Sequence, residues 1–107
     1  MSKLFFDRLL DLSELEEYID SLELSLEERE ETWALVDEAV QNTVFETIFD
    51  NLSKNHHSEF LDMLGAVPYE ESILDWLKEK ADTIEDNIVK SIEKLKKELL
   101  DEFWKQH

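Results

Sequence analysis

Apolar residues recur along this chain at three- and four-residue steps, the spacing that gathers side chains on one face of a helix. The last segment is the most regular. Ile84, Ile88, Ile92, Leu95, Leu99 and Phe103 form one stripe, behind a cap at Asp82 and Glu85, with Glu93–Lys97 and Asp101–Lys105 as solvent-facing pairs. Before it, Ile73, Leu74, Trp76 and Leu77 mark a helix entered through Pro68, a residue the first helical turn accepts. Phe60, Leu61 and Leu64 predict a short helix over 59–64, with Gly65 as its C-cap and a polar loop over 53–58 ahead of it.

The first half reads from two capping boxes. Ser25 with Glu28 opens a segment over 26–52, and Ser13 with Glu16 opens a helix carrying Leu15, Tyr18, Ile19 and Leu22. A first short helix over 3–11 turns Phe5, Phe6, Leu9 and Leu10 inward, either separate from the next or as one bent helix with it. Within 26–52 the apolar face changes direction. Trp33, Val36 and Val40, with Leu35 and Ala39, lie on one side, whereas Val44, Phe45, Ile48, Phe49 and Leu52 centre nearly opposite. Either one helix runs through the middle of a bundle and is covered on two sides, or the chain breaks near Asn42 and Thr43. The lack of Gly or Pro there favours the single helix.

Composition sharpens this picture. Gly and Pro occur once each in 107 residues, too few for the turns of a sheet protein, and no long-period repeat suggests a solenoid. The expected fold is all-α: a compact bundle of about five helices with a long central and a long C-terminal helix. It occupies 1–107 as a single domain, residues 1–24 forming an N-terminal helical extension packed on 25–107. Cysteine is absent, which removes disulfides and thiolate metal sites. No apolar run suffices for a membrane helix, and Asp7 and Arg8 interrupt the apolar start where a signal peptide would be continuous. A cytoplasmic protein without membrane contact is expected.

Charge narrows the partners. The formal net charge is -17, and residues 1–77 hold 20 acidic and 4 basic side chains against 8 and 7 in residues 78–107. Such a field repels phosphate backbones and anionic lipid and attracts basic proteins, so no direct nucleic-acid binding is expected. The acidic surface is represented by Glu27, Glu28, Glu30 and Glu31. Together with Glu16–Glu17 and Glu70–Glu71, these carboxylates lie near helix starts, where the helix dipole favours them.

Candidate chemistry is sparse. His56 and His57 are adjacent and diverge on a helix, His56 and Glu59 supply at most two ligands, and Ser53 stands where a di-iron bundle would place a carboxylate. His107 is terminal. No phosphate loop and no nucleophile with an evident base is present, so no catalytic residue, cofactor or metal is assigned. Trp33, Trp76 and Phe103 sit on core stripes. Phe5, Phe6, Val89, Leu100 and Trp104 are the candidate partner-binding residues, being apolar at chain ends or beside the last stripe, with packing onto the bundle as the competing role.

From Ser25 to Phe103 the sequence resembles an uncharacterised family of small acidic helical domains of candidate-phylum bacteria. The resemblance lies in Leu26-Glu27-Glu28-Arg29-Glu30-Glu31, in Val44-Phe45-Glu46-Thr47-Ile48-Phe49-Asp50-Asn51-Leu52, and in Trp76-Leu77-Lys78-Glu79-Lys80 followed by the acidic cap and helix over 84–100. Ala81-Asp82 stands where the family would have Ile-Pro. The resemblance implies a small helical module and no activity. The sequence therefore favours a non-enzymatic protein-protein interaction module, with a homodimer through a face of the final helix as one form. The alternative is an acidic nucleic-acid mimic that inhibits a basic protein.

Overall fold

The computed structural model describes residues 4–106, with side chains through Glu102, and all regular structure among them is helical. Five α-helices follow one another: α1 Ser13–Ser21, α2 Leu26–Asn51, α3 His57–Ala66, α4 Ser72–Lys80 and α5 Ile84–Gln106, with 3-10 turns at Asp7–Leu9 and Lys54–His56. The expected all-α bundle with long central and C-terminal helices is what the chain forms. Phe103, Trp104, the Asp101–Lys105 pair and His107 lie outside the described side chains.

The frame is the antiparallel pair α2 and α5. Two polar rungs fix its register: Asn87 Nδ2 donates to Asn51 Oδ1 at 3.0 Å, and Thr47 Oγ1 donates to Ser91 Oγ at 2.8 Å. The partners shift by four residues in opposite directions from one rung to the next, as an antiparallel pair requires. At 26 residues α2 is about 39 Å long, most of the 45 Å long axis of the molecule.

Helix α2 is continuous and opens on the expected box: Glu28 N donates to Ser25 Oγ, and Ser25 N donates to Glu28 Oε1. Its change of face has a simpler cause than cover on two sides. Val36, Val40, Val44, Ile48 and Leu52 are all buried and step by four residues. Four residues turn the helix about 400°, so each step drifts about 40° and the buried stripe winds around it. Leu35, behind the stripe, stays 67% exposed.

Aromatic rings fill the end of the bundle where α2 meets α3. Phe60 is fully buried, with the rings of Phe5, Phe45 and Phe49 edge-on at 6.0, 6.4 and 5.6 Å, and Phe6 stands 5.1 Å from Phe5 and 6.1 Å from Phe45. These edge-to-face contacts add to the area the rings bury. Leu15 and Ile19 of α1, Ile73, Leu74 and Leu77 of α4, and Ile84, Ile88 and Ile92 of α5 complete the same core. Residues 4–24 thus share the core with the rest of the chain.

Several local expectations are corrected. The segment before α1 forms a 3-10 turn, not a helix over 3–11: Asp7 Oδ2 accepts from Leu4 N at 3.0 Å, and Phe5 N donates to Pro68 O at 2.9 Å. With both donors used this way, the adjacent Phe5 and Phe6 can both turn inward. Leu10 to Leu12 are not helical, so this turn and α1 are separate. Ser13 does not cap α1. Its N–H and hydroxyl both reach Asp11 Oδ1, at 3.3 and 2.5 Å, and Leu12 is the N-cap. Gly65 lies inside α3, which continues until Val67 N–H bonds Met63 O at 2.8 Å. The stop comes from Pro68, which disfavours helical backbone at Val67. Pro68 itself is not in a helix. It occupies the second position of the turn closed by Glu70 N and Val67 O at 3.1 Å, where its fixed φ suits the geometry. Helix α5 starts after Thr83, whose carbonyl takes the first helical bond from Asn87, in place of a cap at Asp82.

Candidate interaction surface

The fully buried stripe of α2 begins at Val36 and Trp33 packs against the core just before it, so the first turns of the helix, from Leu26, extend past the core. Capping by Ser25 holds this end helical, and α1 lies beside it across a turn in which Glu23 has φ 52°. That left-handed conformation at a residue with a Cβ reverses the chain and brings Asp20 against Arg29, which form an ion pair. Between the two helices an open groove of about 550 Å³ is lined by Glu16 of α1 and by Leu26, Arg29, Glu30, Trp33, Ala34 and Asp37 of α2.

The α2 residues of this groove follow from helical spacing, because steps of three, four and seven return to one face. Leu26 is 75% exposed, Trp33 is half-buried against the core, and Ala34 is exposed. Arg29 is committed to Asp20, so the remaining charges of the lining are the carboxylates of Glu16, Glu30 and Asp37. Burial raises the Asp37 carboxyl above its ordinary value of 3.8, and the nearby negative charge of Asp7 acts in the same direction.

The other candidate residues are placed apart from this groove. Phe5 and Phe6 are buried and serve the aromatic core, the competing role named above, so neither is presented to a partner. Val89 is 38% exposed on α5. Leu100 is half-buried and lines a second, shallower groove with Tyr18, Lys97, Glu98 and Asp101. Trp104 lies outside the described side chains. Glu27, Glu28, Glu30 and Glu31 are all exposed, but with different roles: Glu28 closes the capping box, Glu30 lines the α1–α2 groove, and Glu27 and Glu31 are outside its lining. Exposed carboxylates occur on all five helices.

The histidines have structural partners. His57 Nε2 donates to the carbonyl of Leu52, the C-cap of α2, at 2.9 Å, with its ring 4.9 Å from Phe49. His56 meets Glu59 at 3.5 Å and stands edge-on to Trp76. Among the described residues no group of three His, Asp or Glu side chains is placed to hold a metal ion, and no helix is long and apolar enough to cross a membrane.

Two features escaped sequence reasoning. Trp33 is part of the groove as well as the core, and the signal was Leu26, Glu30, Trp33 and Asp37 at helical spacing immediately after the cap. Lys96 is the other. It lies on the inner side of α5 at 5% exposure, its Nζ donating to Asp11 O at 2.8 Å and meeting Glu93 Oε1 at 2.9 Å. Glu93 thus pairs at three residues, with Lys96. No family model, curated protein or solved structure matches the chain.

Proposed function

We propose that this protein is a non-enzymatic interaction module that receives another protein in the groove between α1 and α2. One observation carries this reading: Leu26 stands 75% exposed beside Trp33 on a helix end held in place by a capping box. Leaving a leucine in water forgoes on the order of 2 kcal/mol of burial, which a partner could recover. Leucine, tryptophan and carboxylates together suit recognition by apolar contact and charge.

Charge argues for a different protein as the partner over a second copy. A two-fold contact through this groove would bring Glu16, Glu30 and Asp37 of both copies together. Like charges at 4 Å repel by roughly 4 kcal/mol at an effective dielectric constant of about 20. On α5 the core takes Ile84, Ile88 and Ile92, which leaves Val89 as the exposed large apolar side chain described on that helix. Exposed carboxylates on every helix fit charge that keeps the protein dispersed.

Site-specific photo-crosslinking in the host tests the reading. A photoreactive residue at Ala34 should give one discrete protein adduct, and the same residue at Glu79 on α4 should not. Equal adducts at both positions, or none at Ala34, would refute the groove as the contact surface.

A further inference from the structure

We infer that the occupant of the α1–α2 groove is a cationic amphipathic helix of the partner, which sets an apolar side chain on Leu26 and Trp33 and lysines or arginines against Glu16 and Glu30. This rests on the groove being the contact surface proposed above.

Three features select that chemistry. First, the lining is electrically unbalanced. Arg29, its cation, is turned to Asp20 across the helix pair, while Glu16 and Glu30 are exposed and enter none of the ion pairs formed among the described residues. An incoming lysine or arginine meets carboxylates with no cation to displace, whereas an acidic segment meets net repulsion. Second, the groove offers side chains only. The described fold has no strand whose edge could pair with an extended peptide, and in the first turn of α2 the Glu28 N–H is already taken by Ser25 Oγ. A segment that arrives with its own backbone bonds satisfied, a helix, leaves none of them unpaired. Third, Leu26 lies eleven residues before Asp37, about 16 Å along α2, which matches three turns of a helix packed alongside.

The test uses the full chain, isotopically labelled, and three helical peptides with the same leucine stripe flanked by Lys, Gln or Glu. Titrations followed by NMR at about 150 mM salt, near physiological screening, would show affinity and location together. The Lys peptide should shift the amides of residues 26–37 and Glu16. The Gln peptide should bind about tenfold more weakly at the same place, and the Glu peptide should not bind. Leu26→Ser, at an exposed position, should retain the wild-type spectrum elsewhere and weaken the Lys peptide by about fivefold. Gln and Lys peptides of equal affinity in the groove would overturn the cationic requirement and leave the groove reading intact. Lys-peptide binding that ignores Leu26→Ser would reduce the contact to diffuse charge and overturn the inference. A crosslinked adduct at Ala34 with no peptide bound in the groove would overturn the helical occupant alone. Absence of both would remove the groove reading as well.

Discussion

Replacing Lys96 tests how the N-terminal segment is held on α5. Its Nζ is nearly enclosed and bonds the carbonyl of Asp11, just ahead of α1, and the carboxylate of Glu93. Lys96→Met keeps most of the apolar stem and deletes the ammonium. A hydrogen bond from a charged donor is worth about 1.5–3 kcal/mol, which sets the scale for the Asp11 bond. The Glu93 contact adds less than about 1 kcal/mol, because that carboxylate is about half exposed. Returning a buried ammonium to water offsets part of this sum. The expected net loss is about 1–2 kcal/mol, or a melting temperature lower by about 4–8 °C. Lys96→Ala also removes stem methylenes at about 0.8 kcal/mol each and should lose about 2 kcal/mol more.

Urea unfolding followed by helical circular dichroism would measure both variants. A methionine variant as stable as the wild type would refute the reasoning, since desolvation of the ammonium would then outweigh its bonds. A second readout separates charge from packing. The Asp11 carboxyl is held below its ordinary 3.8, first by the bonds from the Ser13 hydroxyl and N–H and then by the Lys96 charge. A lowered carboxyl contributes stability that is present above pH 3.8 and lost as pH falls through the lowered value. Lys96→Met should shrink that acid-side loss slightly, and Ser13→Ala should shrink it more.

Glu23→Gly should stabilise the protein by about 0.5–1 kcal/mol, because glycine adopts the left-handed turn after α1 without a Cβ clash, and thermal melting checks this. Asp37→Asn should separate stability from binding. Burial raises this carboxyl, so the native state holds the extra proton above pH 3.8, and stability falls as pH rises through the raised value. The asparagine variant should therefore gain stability over the wild type as pH increases across that window. It should also bind the lysine-flanked peptide more weakly, and a variant that gains neither stability nor a binding defect would refute both roles.

Much of the architecture was legible because it rests on local chemistry. The stripe from Ile84 to Leu99 and the capping box at Ser25 and Glu28 are local signals, and both describe the protein. Misreadings arose where a partner outside the recognised motif decided the outcome. Phe5 N donates to Pro68 O, sixty-three residues away in sequence, and that bond together with Asp7 replaces the expected first helix. Gly65 looked like a stop because glycine favours the left-handed C-cap, yet Pro68 acts three residues later and α3 runs on to meet it. Ser13 has the spacing of a cap, but Asp11 takes its hydroxyl. Lys96 was hidden for a related reason: periodicity identifies apolar residues on a stripe, while a lysine whose stem is buried and whose head finds a carbonyl leaves no apolar mark.

The groove was obscured by the same drift that makes α2 a single helix. A stripe stepping by four residues leaves the core side as it approaches the N-terminus, so Trp33 can pack on the core while Leu26, seven residues earlier and on the same face, extends beyond it. A helix selected only for stability could end near residue 33 or carry a polar residue at Leu26. Instead the chain extends two further turns, caps them with Ser25 and Glu28, and accepts a left-handed Glu23 so that α1 can flank them. The exposed leucine and the left-handed Glu23 would each be costly in an isolated bundle, and with the cap they hold Leu26, Trp33 and unpaired carboxylates in a fixed arrangement. Preorganisation of this kind lowers the entropy lost on binding, which is what the proposed recognition of a partner in this groove would use.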